Sequence, residues 1–176
     1  PNHLVLHARI AALEGTEDAV MAATGMAALA AALMGHCAAG DHVLAAHGLY
    51  GGTHALLTEE LPRLGITCSF ADAHRPATWA ALTRPNTRAF VVETISNPMC
   101  RVCDLPAVAE FCRARGILSI VDNTFASPVN FQPAALGFDI IHHSATKYLN
   151  GHTDIVAGAL AGRRGPVARA AQIIRR

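Results

Sequence analysis

The order of apolar runs along the chain predicts an α/β fold: a mostly parallel sheet covered by helices on both faces. Two observations carry this expectation. Short runs rich in β-branched and aromatic residues alternate with helical stretches of roughly 10–15 residues, the pattern left by parallel strands joined through crossover helices. The 176 residues are also 52% hydrophobic and only 15% charged, more apolar surface than a disordered chain or a disulfide-stapled mini-protein carries.

Taken in order, Leu4 to Leu13 (LVLHARIAAL) reads as an amphipathic helix that stops at Glu14-Gly15. Ala19 to Gly40 carries no formal charge and is the one stretch that could pass for a membrane span. Alanine supplies most of its apolar content, and Thr24, Gly25, His36 and the Gly40-Asp41 turn interrupt it, so a buried helix centred on Met26 to Met34 is the expectation. Strands are expected at His42 to His47, Ile66 to Phe70, Ala89 to Thr94, Ile117 to Asp122, Asp139 to Ser144 and Ile155 to Ala161. Helices are expected from Gly51 to Leu61, around Trp79 and from Leu105 to Arg115. No repeat, low-complexity block or Pro/Ser-rich linker divides residues 1–176, which read as one domain. The pattern ends inside an unfinished helix at Ile174-Arg175-Arg176, as in a piece cut from a longer chain.

Charge excludes some functions. Fourteen basic residues face 13 acidic ones, for a net charge of +1. The basic residues gather only at Arg163, Arg164, Arg169, Arg175 and Arg176, too few for a nucleic-acid footprint. Five scattered cysteines, 10 histidines and no secretory signal point to reduced thiols and a cytoplasmic setting.

The basic residues divide unequally, into 13 arginines and a single lysine, Lys147. A coding bias toward Arg and Ala accounts for the missing lysines. It leaves the exception to be explained, and lysine can lose its proton and attack a carbonyl where a guanidinium cannot.

In an open α/β sheet ligands sit at the carboxyl ends of strands. Here those ends read Glu93-Thr94-Ile95-Ser96-Asn97, Asp122-Asn123-Thr124 and Ser144-Ala145-Thr146-Lys147. Near the start, Thr24-Gly25-Met26 opens the Ala-rich helix, where free N–H groups and the helix dipole favour an anion; taken alone, Thr24 is as ordinary as any N-cap. Together these groups match what pyridoxal phosphate requires: a lysine for its aldehyde, hydroxyls and amides for its phosphate, and a carboxylate for its ring nitrogen.

Six blocks, in order, carry a resemblance: LEG (13–15), ATGMAA (23–28), LYGGT (49–53), ETISNP (93–98), VDNTFASP (121–128) and HSATKYLNGHTD (143–154). They resemble the Cys/Met-metabolism family of pyridoxal-phosphate enzymes, the fold-type I group that includes cystathionine γ-synthase, cystathionine γ-lyase, cystathionine β-lyase and O-acyl-homoserine sulfhydrylases. The resemblance implies that Lys147 forms the Schiff base and shuttles protons, that Asp122 pairs with the ring nitrogen, and that Tyr50 stacks on the ring beside the reacting amine. It implies phosphate contacts from Gly25, Met26, Ser144 and Thr146, a hydrogen bond from Asn97 to the ring oxygen, and support from Glu93. Thr24 and Thr124 complete the candidate cofactor-binding set.

The same resemblance implies γ-replacement or γ-elimination on sulfur amino acids or O-acylhomoserine, with β-lyase or sulfhydrylase chemistry as alternatives. A degenerate cofactor-binding or subunit-interaction module is the non-enzyme alternative. The resemblance implies a homotetramer built from dimers in the full-length form, with an N-terminal arm and a C-terminal domain outside residues 1–176, so the isolated chain is expected to hold the cofactor weakly. Neither a nucleic-acid nor a membrane partner is expected. Gly52 stands where methionine γ-lyases carry a cysteine, which argues against that activity. No metal site is expected: Cys100 and Cys103 form one CxxC without a second pair, and His142 and His143, adjacent on a strand, must face opposite ways.

Overall fold

The computed structural model describes residues 2–175. Seven strands, β1 (Asp18–Ala22), β2 (His42–Ala46), β3 (Thr67–Ala71), β4 (Thr87–Glu93), β5 (Leu118–Asp122), β6 (Ile140–Ser144) and β7 (Gly158–Gly162), make one sheet in the order β1-β7-β6-β5-β4-β2-β3. Strands β2 to β6 pair in parallel, as the alternating pattern predicts, and β7 runs antiparallel to both β6 and β1. Every residue of β2 and β7 is buried, which explains why these strands read as continuous apolar runs and not as alternating ones.

The helices are α1 (Asn2–Glu14), α2 (Gly25–Met34), α3 (Gly51–Ala55), α4 (Leu61–Arg63), α5 (Pro76–Leu82), α6 (Leu105–Arg115), α7 (Ser127–Asn130) and α8 (Arg164–Ile174), with α3 and α4 joined through a π-helical turn at Leu56–Glu60. Sequence dictates their limits. Thr24 caps α2 by accepting the Ala27 N–H at 2.9 Å. Asp104 does the same for α6 through Ala107, and Gly116, at φ 63°, ends that helix in a left-handed conformation that a side chain disfavours. The core is anchored by Trp79, fully buried, with the rings of Phe90 and Phe111 each 5.4 Å away edge-on and its indole N–H donating to the Asp72 carbonyl.

Two expectations need correction. The uncharged stretch from Ala19 is not helical at its start: residues 18–22 form β1, too short and too rich in Ala and Met to signal a strand, and paired with β7 only through tertiary contact. The last strand begins at Gly158 and not at Ile155; Ile155 and Val156 are exposed in the loop before it. Among the described residues no helix is long and apolar enough to cross a membrane.

Gly158 joins these elements to α2. A Cβ there would land on the carbonyl oxygen of Thr24, the residue that caps α2. Gly158→Ala is therefore expected to lower stability by about 1–3 kcal/mol, the cost of overpacking a closed contact. A lower urea midpoint with an unchanged slope is the expected measurement; an unchanged midpoint would show that the two backbones can part freely.

Candidate active site

A cavity of about 270 Å³ opens at the carboxyl ends of β4, β5 and β6, beneath the start of α2. Its walls include all eleven residues expected from sequence: Thr24, Gly25, Met26, Tyr50, Glu93, Asn97, Asp122, Thr124, Ser144, Thr146 and Lys147. The topology explains the convergence. β3 lies on one side of β2 and β4 on the other, so successive crossovers diverge there and leave a crevice above the strand ends.

One end of the cavity suits an anion. The Thr24 hydroxyl takes the Ala27 N–H and the Thr24 carbonyl takes that of Ala28, which leaves the Gly25 and Met26 N–H groups at the cavity wall among those that a helix cannot satisfy internally. Thr24 thus serves both as cap and as lining residue. Gly25 is required by space: a Cβ on it would lie 2.9 Å from both Cα and Cβ of Ser144. The Thr146 hydroxyl is engaged with Ala157, donating to its carbonyl at 3.2 Å and accepting from its N–H at 3.1 Å. This fastens the lysine loop to the chain just before β7.

The other end holds a buried acid and base. Asp122 Oδ2 lies 2.9 Å from Nδ1 of His142, whose Nε2 is 2.8 Å from the Gly25 carbonyl. Asp122 Oδ1 accepts from both the N–H and the hydroxyl of Thr124, and the same hydroxyl accepts the Ser144 N–H at 2.9 Å. Burial alone would raise the Asp122 carboxyl, but His142 and the Thr124 bonds outweigh it and hold the group below the usual carboxylate range. Burial likewise opposes a proton on His142, yet Asp122, the Gly25 carbonyl and Glu93 together raise its pKa.

Glu93 behaves oppositely. Its two oxygens accept the backbone N–H groups of Tyr50 at 2.7 Å and Asn97 at 3.1 Å, so one carboxylate ties both loops over the site. Burial nevertheless pushes its pKa up to about 7, with the charge on Asp122 adding to the rise and the two N–H bonds opposing it. Tyr50 and Lys147 stand exposed at the mouth. The Tyr50 ring lies against Gly52, where a Cβ would come within 2.6 Å of its Cε1, so a larger residue at that position displaces the ring.

His142 has no role among the residues expected from sequence, although strand alternation singles it out. It shares a face of β6 with Ser144, and His143 points the other way, to Glu14. Phe125, Ile95 and Thr53 also line the cavity; they fall within the quoted blocks, but no role marks them there. Among the described residues no three His, Cys, Asp or Glu side chains gather as metal ligands. All five cysteines are free: burial pushes the thiols of Cys37, Cys103 and Cys112 up to about 12, whereas Cys100 is exposed in the loop after Asn97.

Comparison with known proteins gives these residues a context. Residues 1–175 match the family model of Cys/Met metabolism PLP-dependent enzymes. The chain is 44% identical to an O-succinylhomoserine sulfhydrylase of Pseudomonas aeruginosa, over 88% of its own length and 38% of the relative's. It is 42% identical to a cystathionine gamma-lyase of Bacillus subtilis, over 90% and 41%. With a cystathionine beta-lyase of Staphylococcus haemolyticus the identity is 41%, over 99% and 44%. A crystal structure assigned as an O-acetylhomoserine (thiol)-lyase from Campylobacter jejuni, which carries an N'-pyridoxyl-lysine-5'-monophosphate residue, superimposes with a TM-score of 0.91 at 33% identity, over 96% of this chain and 42% of that one. The chain thus spans about two fifths of the length of its relatives.

The raised Glu93 pKa sets a pH dependence. The folded chain holds a proton on Glu93 up to about pH 7, while an unfolded glutamate releases it near pH 4.3. Folding therefore takes up a proton in that window, and the contribution of this group to stability falls as pH rises through it, by a total on the order of 3 kcal/mol. Urea unfolding from pH 4.5 to 7.5 should show a fall that Glu93→Gln removes; the same slope in the variant would assign the proton to another group.

Proposed function

The chain belongs to the Cys/Met metabolism family of PLP-dependent enzymes, and from that footing we propose that it is the cofactor-binding core of a transsulfuration enzyme. The observation that carries the proposal is convergence. An amine, a low-pKa carboxylate, unsatisfied helix N–H groups and hydroxyls share one cavity, though they lie up to 123 residues apart in the chain, from Thr24 to Lys147. The fit is steric as well as chemical, since only glycine at position 25 lets the start of α2 lie this close to Ser144.

Pyridoxal phosphate, when bound, supplies an electron sink for the carbon that loses its proton. The chain's own groups do the rest. Lys147 holds the cofactor through Nζ, and once an amino-acid substrate has taken its place the same nitrogen acts as base at the α-carbon and returns protons to neighbouring atoms. Asp122, kept anionic by His142 and Thr124, retains a proton on the ring nitrogen. Gly25, Met26 and Ser144 receive the phosphate, joined by Thr146 once its hydroxyl turns from the Ala157 carbonyl; Asn97 receives the ring oxygen, and Tyr50 covers the ring beside the reacting amine. Thr24 and Glu93 keep those groups in place through the α2 cap and the two loop N–H bonds.

The substrate class is a sulfur amino acid or O-acylhomoserine, and the reaction γ-replacement or γ-elimination as in cystathionine γ-synthase and γ-lyase. β-Elimination of cystathionine and sulfhydrylation of O-acylhomoserine are supported by relatives of nearly equal identity. A binding module without catalysis has no chemical need for Lys147, Asp122, Tyr50 and Asn97 in a single cavity. A cytoplasmic homotetramer completes the proposal.

The test is spectroscopic. Addition of pyridoxal phosphate in excess should give the protein a visible absorption band, and Lys147→Ala should abolish it. A band that persists in the variant would overturn the role of Lys147. Separate product analysis with O-succinylhomoserine, O-acetylhomoserine and cystathionine then assigns the reaction.

A further inference from the structure

The ends of β5 and β6 carry two pairs of polar residues, one on each face of the sheet. Asp122 and His142 face the cavity, and Asn123 and His143, the next residues, face α1. There they meet Glu14, the last residue of α1 and completely buried. Its Oε1 accepts from Asn123 Nδ2 at 3.0 Å and pairs with Nε2 of His143. Asn123 also donates through Nδ2 to the Phe131 carbonyl at 2.9 Å, and its backbone N–H donates to the His142 carbonyl at 2.9 Å.

We propose that Glu14 is a positioning residue: from the face opposite the site, its carboxylate holds the ends of β5 and β6 in the register that brings Asp122 and His142 together. The proposal rests on the reading of Asp122 as partner of the ring nitrogen. A fully buried carboxylate is costly unless its partners are fixed. An apolar contact between α1 and the sheet would pack as well without that cost, whereas hydrogen bonds to one atom of Asn123 and one of His143 define where each strand end must lie. The remaining Glu14 and Asn123 acceptors, Oε2 and Oδ1, are buried without a protein partner, so the cluster carries a polar cost that an apolar contact would avoid. Glu14 makes no hydrogen bond to Asp122 or His142. His142 is faced by Asp122 from β5, Glu93 from β4 and the Gly25 carbonyl from α2. Glu14 thus reaches the site through the adjacent backbone.

Two variants test this, Glu14→Gln, which keeps an acceptor for Asn123, and Glu14→Ala, which does not. The first readout is the Nδ1 proton of His142, which faces Asp122 Oδ2 at 2.9 Å, followed by NMR in protein without cofactor, since its exchange with solvent reports the geometry of that pair. The second is the rate at which pyridoxal phosphate is lost on dialysis. Loss of a buried hydrogen bond to a charged group predicts exchange and cofactor loss faster by roughly tenfold in Glu14→Ala, with a smaller change in Glu14→Gln. If Glu14→Ala does not fold, Glu14→Gln decides alone. Either variant folded with a lower Tm, yet with wild-type exchange and retention, would make Glu14 simple scaffolding and overturn the proposal. Failure of the wild-type chain to bind pyridoxal phosphate would instead sink the functional reading, and the exchange measurement would still stand.

Discussion

The site depends on one close approach, the start of α2 pressed against the ends of β6 and β7. Thr24 sits where any side chain on residue 158 would intrude, and Gly25 where any side chain of its own would strike Ser144. The His142 ring reaches the Gly25 carbonyl from below. Three contacts fix the helix, and the N–H groups it cannot satisfy are aimed at the cavity. β7 makes the approach possible: running antiparallel between β1 and β6, it brings the segment that follows the lysine loop back under the helix.

Two carboxylates 29 residues apart in sequence then acquire opposite characters. Both lose hydration on burial. Asp122 recovers more than it loses, because an imidazole and a threonine stabilise its charge. Glu93 recovers only two backbone N–H bonds and stands near a second negative group. Such divergence of neighbouring acids is how a single pocket holds a fixed charge beside a group that can change its state near neutrality.

Much of this was legible in the sequence. The parallel strands announced themselves through β-branched runs, and eleven of the lining residues through strand ends and six ordered blocks. What escaped had physical reasons. β1 is five residues without a β-branched majority, and its strand character comes from pairing with β7, whose partners lie from 136 residues away (Ala22 with Gly158) to 144 (Asp18 with Gly162). His142 was hidden beside His143, since only a known face assignment tells which of two adjacent histidines looks into a cavity. Glu14 lay in a quoted block, LEG, but nothing local marks a helix-terminal glutamate as a buried anchor when its partners are 109 and 129 residues downstream.

The distribution of thiols has a practical consequence. Cys37, Cys103 and Cys112 are buried and hold their protons far above neutrality, and Cys68 is partly covered, its thiol also raised by burial. Alkylating reagents act on exposed thiolate, which directs them to Cys100. That residue follows Asn97 by three positions, in the loop whose backbone Glu93 tethers. A fluorophore attached there would sit on native sequence, with no engineered cysteine, in the loop that follows Asn97 in the cavity wall.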